Sequence, residues 1–257
     1  MIVELIGPTG AGKSTLARRL CTHLGGPRFA TVASDLVLDH PVLRRIRNAT
    51  AANLAQDVAG LPFLARALSE NSAVLRLSAE MLAKHAPSRF DLVMNARSVL
   101  RRIGMYDLSR SRAAGRVVLL DEGPVLIAYH LFVYSSADLD TAPLEQFAAS
   151  VPLPDRVIYV RSPLPVLAAR ALSRPDRRRQ LAGLTAADAE QPLLRAQQVF
   201  DRLVSTPYLR DRTLVVENAS QDPRELDELA AQVASTVRSW TAGAPPEDRL
   251  DGPAVAL

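Results

Sequence analysis

The residues most able to do chemistry lie close to the start of the chain: Gly7-Pro8-Thr9-Gly10-Ala11-Gly12-Lys13-Ser14-Thr15. A glycine, four intervening residues and then Gly12-Lys13-Ser14 form the pattern of a loop that turns backbone N–H groups inward around a phosphate chain, where side chains would collide. Lys13 supplies a full positive charge. The helix expected from Lys13 onward adds the positive end of its dipole at the same point. Ser14 offers a hydroxyl to Mg²⁺, a hard cation that prefers oxygen. Gly7, Thr9, Gly10, Ala11, Gly12, Lys13, Ser14 and Thr15 are therefore expected to bind a nucleoside triphosphate with Mg²⁺. ATP is the expected nucleotide, with GTP left open. A purely structural glycine-rich turn is the alternative, and the position between a strand and a helix argues against it.

A Mg²⁺–nucleotide also calls for a carboxylate at the end of a strand beside the first one. Leu119-Leu120-Asp121-Glu122-Gly123 provides one, with Asp121 expected on the metal side. Glu122 could hold a nucleophile or contact a substrate. Asp35, after the second expected strand, is another carboxylate at the same rim; its bland reading is a helix cap. Arg170, Arg174, Arg177, Arg178 and Arg179 fall within ten residues. Arginine forks stabilise charge spread over a transferring phosphoryl group, so a closing lid over about 170–183 is expected, with a solvated basic loop as the alternative. Lys13, Asp35, Glu122, Arg170 and Arg174 are the candidate catalytic residues.

The elements that must position these groups alternate between strand and helix. Ile2–Ile6 reads as a buried strand, followed by the glycine-rich turn and a helix from Lys13 to about Leu24. Phe29–Ala33, Arg116–Asp121, Asp155–Val160 and Thr213–Val216 read as four more strands. Between the second and third, apolar residues recur at helical spacing, and Pro62 and Pro87 are expected to divide that stretch into three helices. Val125–Tyr134, Pro143–Ala149, Pro163–Leu172, Ala186–Val204 and Asp222–Trp240 read as helices. Strands alternating with helices imply a parallel sheet between helical layers.

Composition bounds the class. The chain has 257 residues, 48% hydrophobic and 23% charged, enough for one large α/β domain and far from the signature of disorder. The longest apolar run, Val125–Tyr134, is too short to cross a bilayer. No basic leader or cleavage site is read before Ile2, and a single Cys21 allows no internal disulfide framework, so a cytoplasmic protein without membrane partners is expected. The formal charge is +4, yet only Lys13 and Lys84 among the 31 basic residues are lysine. That skew reads as a coding bias rather than a nucleic-acid footprint, so nucleic acid is not expected as the main partner.

The order of P-loop, Asp35, helical stretch, Asp121 strand, Asp155–Pro163, arginine segment and long helix resembles the P-loop nucleoside and nucleotide kinases, in particular the thymidylate kinase and deoxynucleoside kinase branch. The resemblance covers about residues 1–240 in layout, and only the P-loop is specific in sequence. It implies a three-layer α-β-α P-loop fold with a five-stranded parallel sheet and a helical insert between strands 2 and 3. One domain would span 1–242, with the insert at about 41–115, and 243–257 would be a disordered tail. Two departures concern the acceptor: the thymidylate kinase pattern has an arginine after the third-strand Asp where this chain has Glu122, and the stretch from Asp35 to Gly115 is longer than usual. The expected function is ATP-dependent phosphoryl transfer to a small-molecule hydroxyl or phosphate acceptor (nucleoside, nucleotide or other metabolite). A nucleotide-hydrolysing switch or motor is the second reading, since Asp121-Glu122 also resembles the acidic pair of ATPases, and a polynucleotide 5′-kinase the third. A homodimer is left open.

Overall fold

The computed structural model describes residues 1–26, 29–38, 49–113, 115–133, 141–173, 185–220 and 222–242. Five strands, β1 (Ile2–Ile6), β2 (Ala30–Val32), β3 (Val117–Leu120), β4 (Arg156–Arg161) and β5 (Thr213–Glu217), form one sheet in the order β2-β3-β1-β4-β5. Every pairing is parallel; in register, Ile2 faces Val118, Glu4 faces Leu120, and Ile6 faces Tyr159. β1 is central and its five residues are all buried, as a strand covered on both faces requires.

Side chains alternate between two helical layers. Val3 and Leu5 of β1 join Ile158 and Val160 of β4 under α1 (Lys13–His23), α7 (Leu164–Ser173) and α9 (Pro223–Ala242). On the other face, Ile6, Val157 and Tyr159 pack with α4 (Ser72–His85), α6 (Thr141–Ser150) and the later half of α8 (Ala186–Ser205). Ile2, Val118 and Leu120 pack with α2 (Ala33–Leu38) and α5 (Arg89–Arg112). The three-layer α/β arrangement read from the sequence is thus the one observed. The connections after β1 and β3 leave toward opposite edges of the sheet, so the crevice at their carboxyl ends is where a ligand would sit.

The insert differs from expectation at one proline. Pro62 does not divide it but lies inside α3 (Ala49–Ala67). A proline removes one helical donor, and packing of Gly60 directly against Gly104 of α5 overrides that cost. The break comes instead before α4, where the Asn71 side chain donates to the Ala67 carbonyl. Pro87 does separate helices: Ala86 before it is extended, and Ser88 caps α5 by accepting from the Asp91 N–H.

The second difference follows β3. Ile127, Ala128 and Tyr129 donate to carbonyls three residues back, and the chain then widens into a π-helical turn at Tyr129–Val133, where an α-helix was expected. The chain also becomes helical straight after Val32, so Asp35 stands in the first turn of α2 and not at a strand end. Arg174, the rest of the arginine segment to Gly183 and the expected tail at 243–257 lie outside the described residues. No helix among the described residues is long and apolar enough to cross a membrane.

Candidate active site

The loop between β1 and α1 has the backbone that its glycines predict. Gly12 adopts φ 90°, a left-handed conformation that L side chains rarely take, and a Cβ there would overlap the Asn218 amide. That amide donates to the Ala11 carbonyl at 2.8 Å, so the residue after β5 braces the loop from beneath. Lys13 Nζ donates to the carbonyls of Gly7 (2.7 Å) and Pro8 (2.8 Å), which lays its stem across the loop. Thr9 is buried, and its hydroxyl lies 3.1 Å from Tyr129 Oη in the π-helical turn. Ala11 is buried, Ser14 half-buried and Thr15 exposed.

Asp121 follows β3 directly, and Ser14 hydrogen-bonds to its carboxylate. Burial chiefly pushes the Asp121 carboxyl above the ordinary range, with the neighbouring Glu122 charge adding to it; the Ser14 bond and the Lys13 charge act the other way. A hydroxyl and a carboxylate meeting beside a lysine form an all-oxygen pair suited to Mg²⁺, which keeps several waters and takes few protein ligands. No group of three or more His, Cys, Asp or Glu side chains that could hold a metal ion occurs among the described residues.

Glu122, the next residue, reaches α5. Arg101 Nη2 donates to its Oε2 at 2.9 Å and Arg102 Nη2 at 3.2 Å. Arg102 is 2% exposed and also bonds Ser98. Arg101 Nε lies 3.9 Å from Asp57 of α3, and Arg97 bonds the same carboxylate. His130 Nδ1 sits 3.0 Å from Asn95 Oδ1, and its Nε2 3.4 Å from Ser98 Oγ. The insert therefore closes on the sheet end through ion pairs that converge beside Asp121.

Two of the sequence candidates stand apart from these hydrogen bonds. Arg170 is the last-turn arginine of α7, and its guanidinium donates to the Asn218 carbonyl at 3.1 Å and to the Ser220 carbonyl. Burial lowers its pKa. It fastens the β5–α9 connection, while the rest of the lid expected over about 170–183 lies outside the described residues. Asp35 is exposed, and the thiol on which its charge acts is Cys21, toward the far end of α1 from Lys13. The structure thus brings together Lys13, Ser14, Asp121 and Glu122, and does not draw Asp35 into their hydrogen bonds. Sequence reasoning missed Glu4, Arg101, Arg102, Tyr129 and Asn218. Glu4 carried a signal, being a charge inside an otherwise apolar strand; Arg102 carried another, an arginine within the helical pattern beside Ile103.

No family model matches the chain, and no curated protein matches it. Among solved structures, it is similar to a deoxyadenosine kinase from M. mycoides determined with dCMP and dCDP, at 16% identity and a TM-score of 0.47, covering 93% of this chain and 100% of that one. A shikimate kinase from Bacteroides thetaiotaomicron gives 11% identity and a TM-score of 0.43, covering 93% and 98%. Similarities at this level carry no weight for function.

Proposed function

We propose that this chain is a Mg²⁺-dependent phosphotransferase that moves the γ-phosphate of ATP to a small-molecule acceptor. The observation that carries the reading is the meeting of Lys13, Ser14 and Asp121 at the carboxyl end of β1 and β3, with Glu122 turned to the arginines of the insert. Phosphoryl transfer needs positioning and charge neutralisation more than covalent chemistry. The loop N–H groups and Lys13 would hold the phosphates in line. Ser14 and Asp121 would hold Mg²⁺, whose charge would offset that of the phosphates. Arg101, paired with Glu122 one residue along from Asp121, would face the acceptor, which would enter between α5 and the sheet end.

Glu122 is a poor candidate for the proton acceptor. Two guanidiniums stabilise its ionised form, and a carboxylate so held gains little by taking a proton. Its role is to hold Arg101 at the crevice, with buried Arg102 fixing it from behind. Asp35 remains the candidate base if the acceptor is a hydroxyl. A monophosphate acceptor is already ionised and needs no base. Initial rates of ATP turnover, with and without nucleosides, nucleoside monophosphates, sugars and aminoglycosides, test the reading. Slow turnover alone and strong stimulation by one acceptor class supports it; fast turnover without any acceptor favours the hydrolase.

A further inference from the structure

Four of the five side chains of β1 are apolar; the fifth, Glu4, is fully buried. A carboxyl group withdrawn from water is costly unless its oxygens are hydrogen-bonded, so its partners indicate its purpose. Its Oε1 accepts from the Leu126 N–H at 2.9 Å and its Oε2 from the Val125 N–H at 3.1 Å. Buried Arg102 acts on it electrostatically, and the same guanidinium donates to Glu122. A Cβ at position 123 would overlap the Glu4 carboxyl group, so the turn comes this close only because Gly123 has no side chain. Three separate constraints thus converge on 123–126, immediately after Asp121 and Glu122.

The turn cannot supply these bonds for itself. Its internal hydrogen bonds start with Ile127 donating to Pro124 and continue with Ala128 to Val125 and Tyr129 to Leu126. The N–H groups of Val125 and Leu126 precede that ladder, as at the start of any helix. Glu4 accepts both from the neighbouring strand. Farther along, Tyr129 Oη meets Thr9 of the phosphate loop. Residues 121–129 therefore run from the Asp121 carboxylate to the phosphate loop, and Glu4 ties this run to the centre of the sheet.

We propose that Glu4 is a positioning residue: through the Val125 and Leu126 amides it fixes the turn after β3 and so sets Asp121 against Ser14. It does not touch nucleotide or acceptor. This inference rests on the P-loop reading above for its metal side, but its hold on the turn can be measured without nucleotide.

The test uses the full chain and Glu4→Gln, which keeps the side chain's size while its amide nitrogen cannot accept a second backbone N–H. Amide hydrogen exchange at Val125 and Leu126 is followed without nucleotide, and ADP binding is titrated with and without Mg²⁺. Faster exchange at both amides is expected, together with a rise of about 10- to 100-fold in the Mg²⁺ half-saturation for ADP binding, the range for outer-shell support of a metal site. Gly123→Ala, which leaves Glu4 in place but forces it off the turn, should act in the same direction and serves if Glu4→Gln does not fold. Unchanged exchange overturns the proposal. So does faster exchange with an unchanged Mg²⁺ half-saturation, or an equal loss of ADP affinity with and without Mg²⁺, since Glu4 would then not act through Asp121. A wild-type chain whose ADP binding ignores Mg²⁺ contradicts the P-loop reading instead, and the exchange arm still decides whether Glu4 holds the turn.

Discussion

The phosphate loop is made of consecutive residues, Gly7 to Thr15, whereas the cluster across the crevice gathers Asp57, Arg97, Arg101 and Arg102 from the insert and Glu122 from the end of β3. In the loop, chemistry comes from backbone N–H groups, so glycine spacing alone specifies it. In the cluster it comes from long charged side chains whose partners are 20 to 44 residues away. The first region suits the part of a substrate that is the same in every nucleotide. The second can change one side chain at a time, which suits the part that differs between acceptors.

The largest expected effect lies on the loop side. Lys13→Ala should abolish Mg-ATP turnover or binding, because the loop loses its fixed cation; near-normal activity at saturating Mg-ATP would remove the distinction between the regions. Asp121→Asn should come next, weakening the response to Mg²⁺ strongly while the fold survives, which a Mg²⁺ titration of turnover reads. An identical half-saturation in the two proteins would make Asp121 structural.

On the insert side, Arg101→Ala should raise acceptor KM by roughly 10- to 100-fold and ATP KM much less, the scale for losing a charged hydrogen-bonding group. If both constants rise together, the cluster is scaffold for the whole crevice and not an acceptor surface.

A pH experiment sharpens the link between the two regions. Burial pushes the Glu4 carboxyl up to about 8, against the two backbone amides and Arg102, which favour its charged form. The folded chain then holds a proton that the unfolded chain, with the ordinary glutamate value of 4.5, has already released. The stability contribution is complete below pH about 4.5 and is lost as pH rises toward about 8. Denaturant midpoints of wild type should fall across that window relative to Glu4→Gln, which lacks the titration. Tyr106 of α5 also feels the Glu4 charge but titrates at about 12, outside the window. Parallel pH profiles for the two proteins would mean that Glu4 stays ionised throughout.

The smallest effect belongs to Arg170→Ala. Loss of its bonds to the carbonyls of Asn218 and Ser220 should lower stability by roughly 1–3 kcal/mol, read by urea denaturation, with little change in acceptor KM. A large rise in acceptor KM would return Arg170 to the substrate side.

The same contrast explains how much was legible beforehand. The sheet was readable because its strands are short apolar runs bounded by turns, and the loop because its chemistry is local. Pro62 misled because packing at Gly60 and Gly104 outweighs a lost donor. Val125–Tyr134 misled because an apolar run does not distinguish an α-helix from the tighter bonds of Ile127–Tyr129 and the wider turn that follows them. The bracing contacts of Arg170 were not legible because the carbonyls it binds lie 48 and 50 residues on. Arg101 and Arg102 went unnoticed because helical periodicity does not reveal which charge turns inward; only Glu122 across the crevice does.

The most direct test of the central claim is single-turnover transfer from γ-labelled Mg-ATP, with label followed onto each member of the acceptor panel. Label is expected on one acceptor class, at a rate far above its release as inorganic phosphate. Label appearing only as inorganic phosphate, at a rate no acceptor changes, would contradict that claim and make the chain a nucleotide hydrolase.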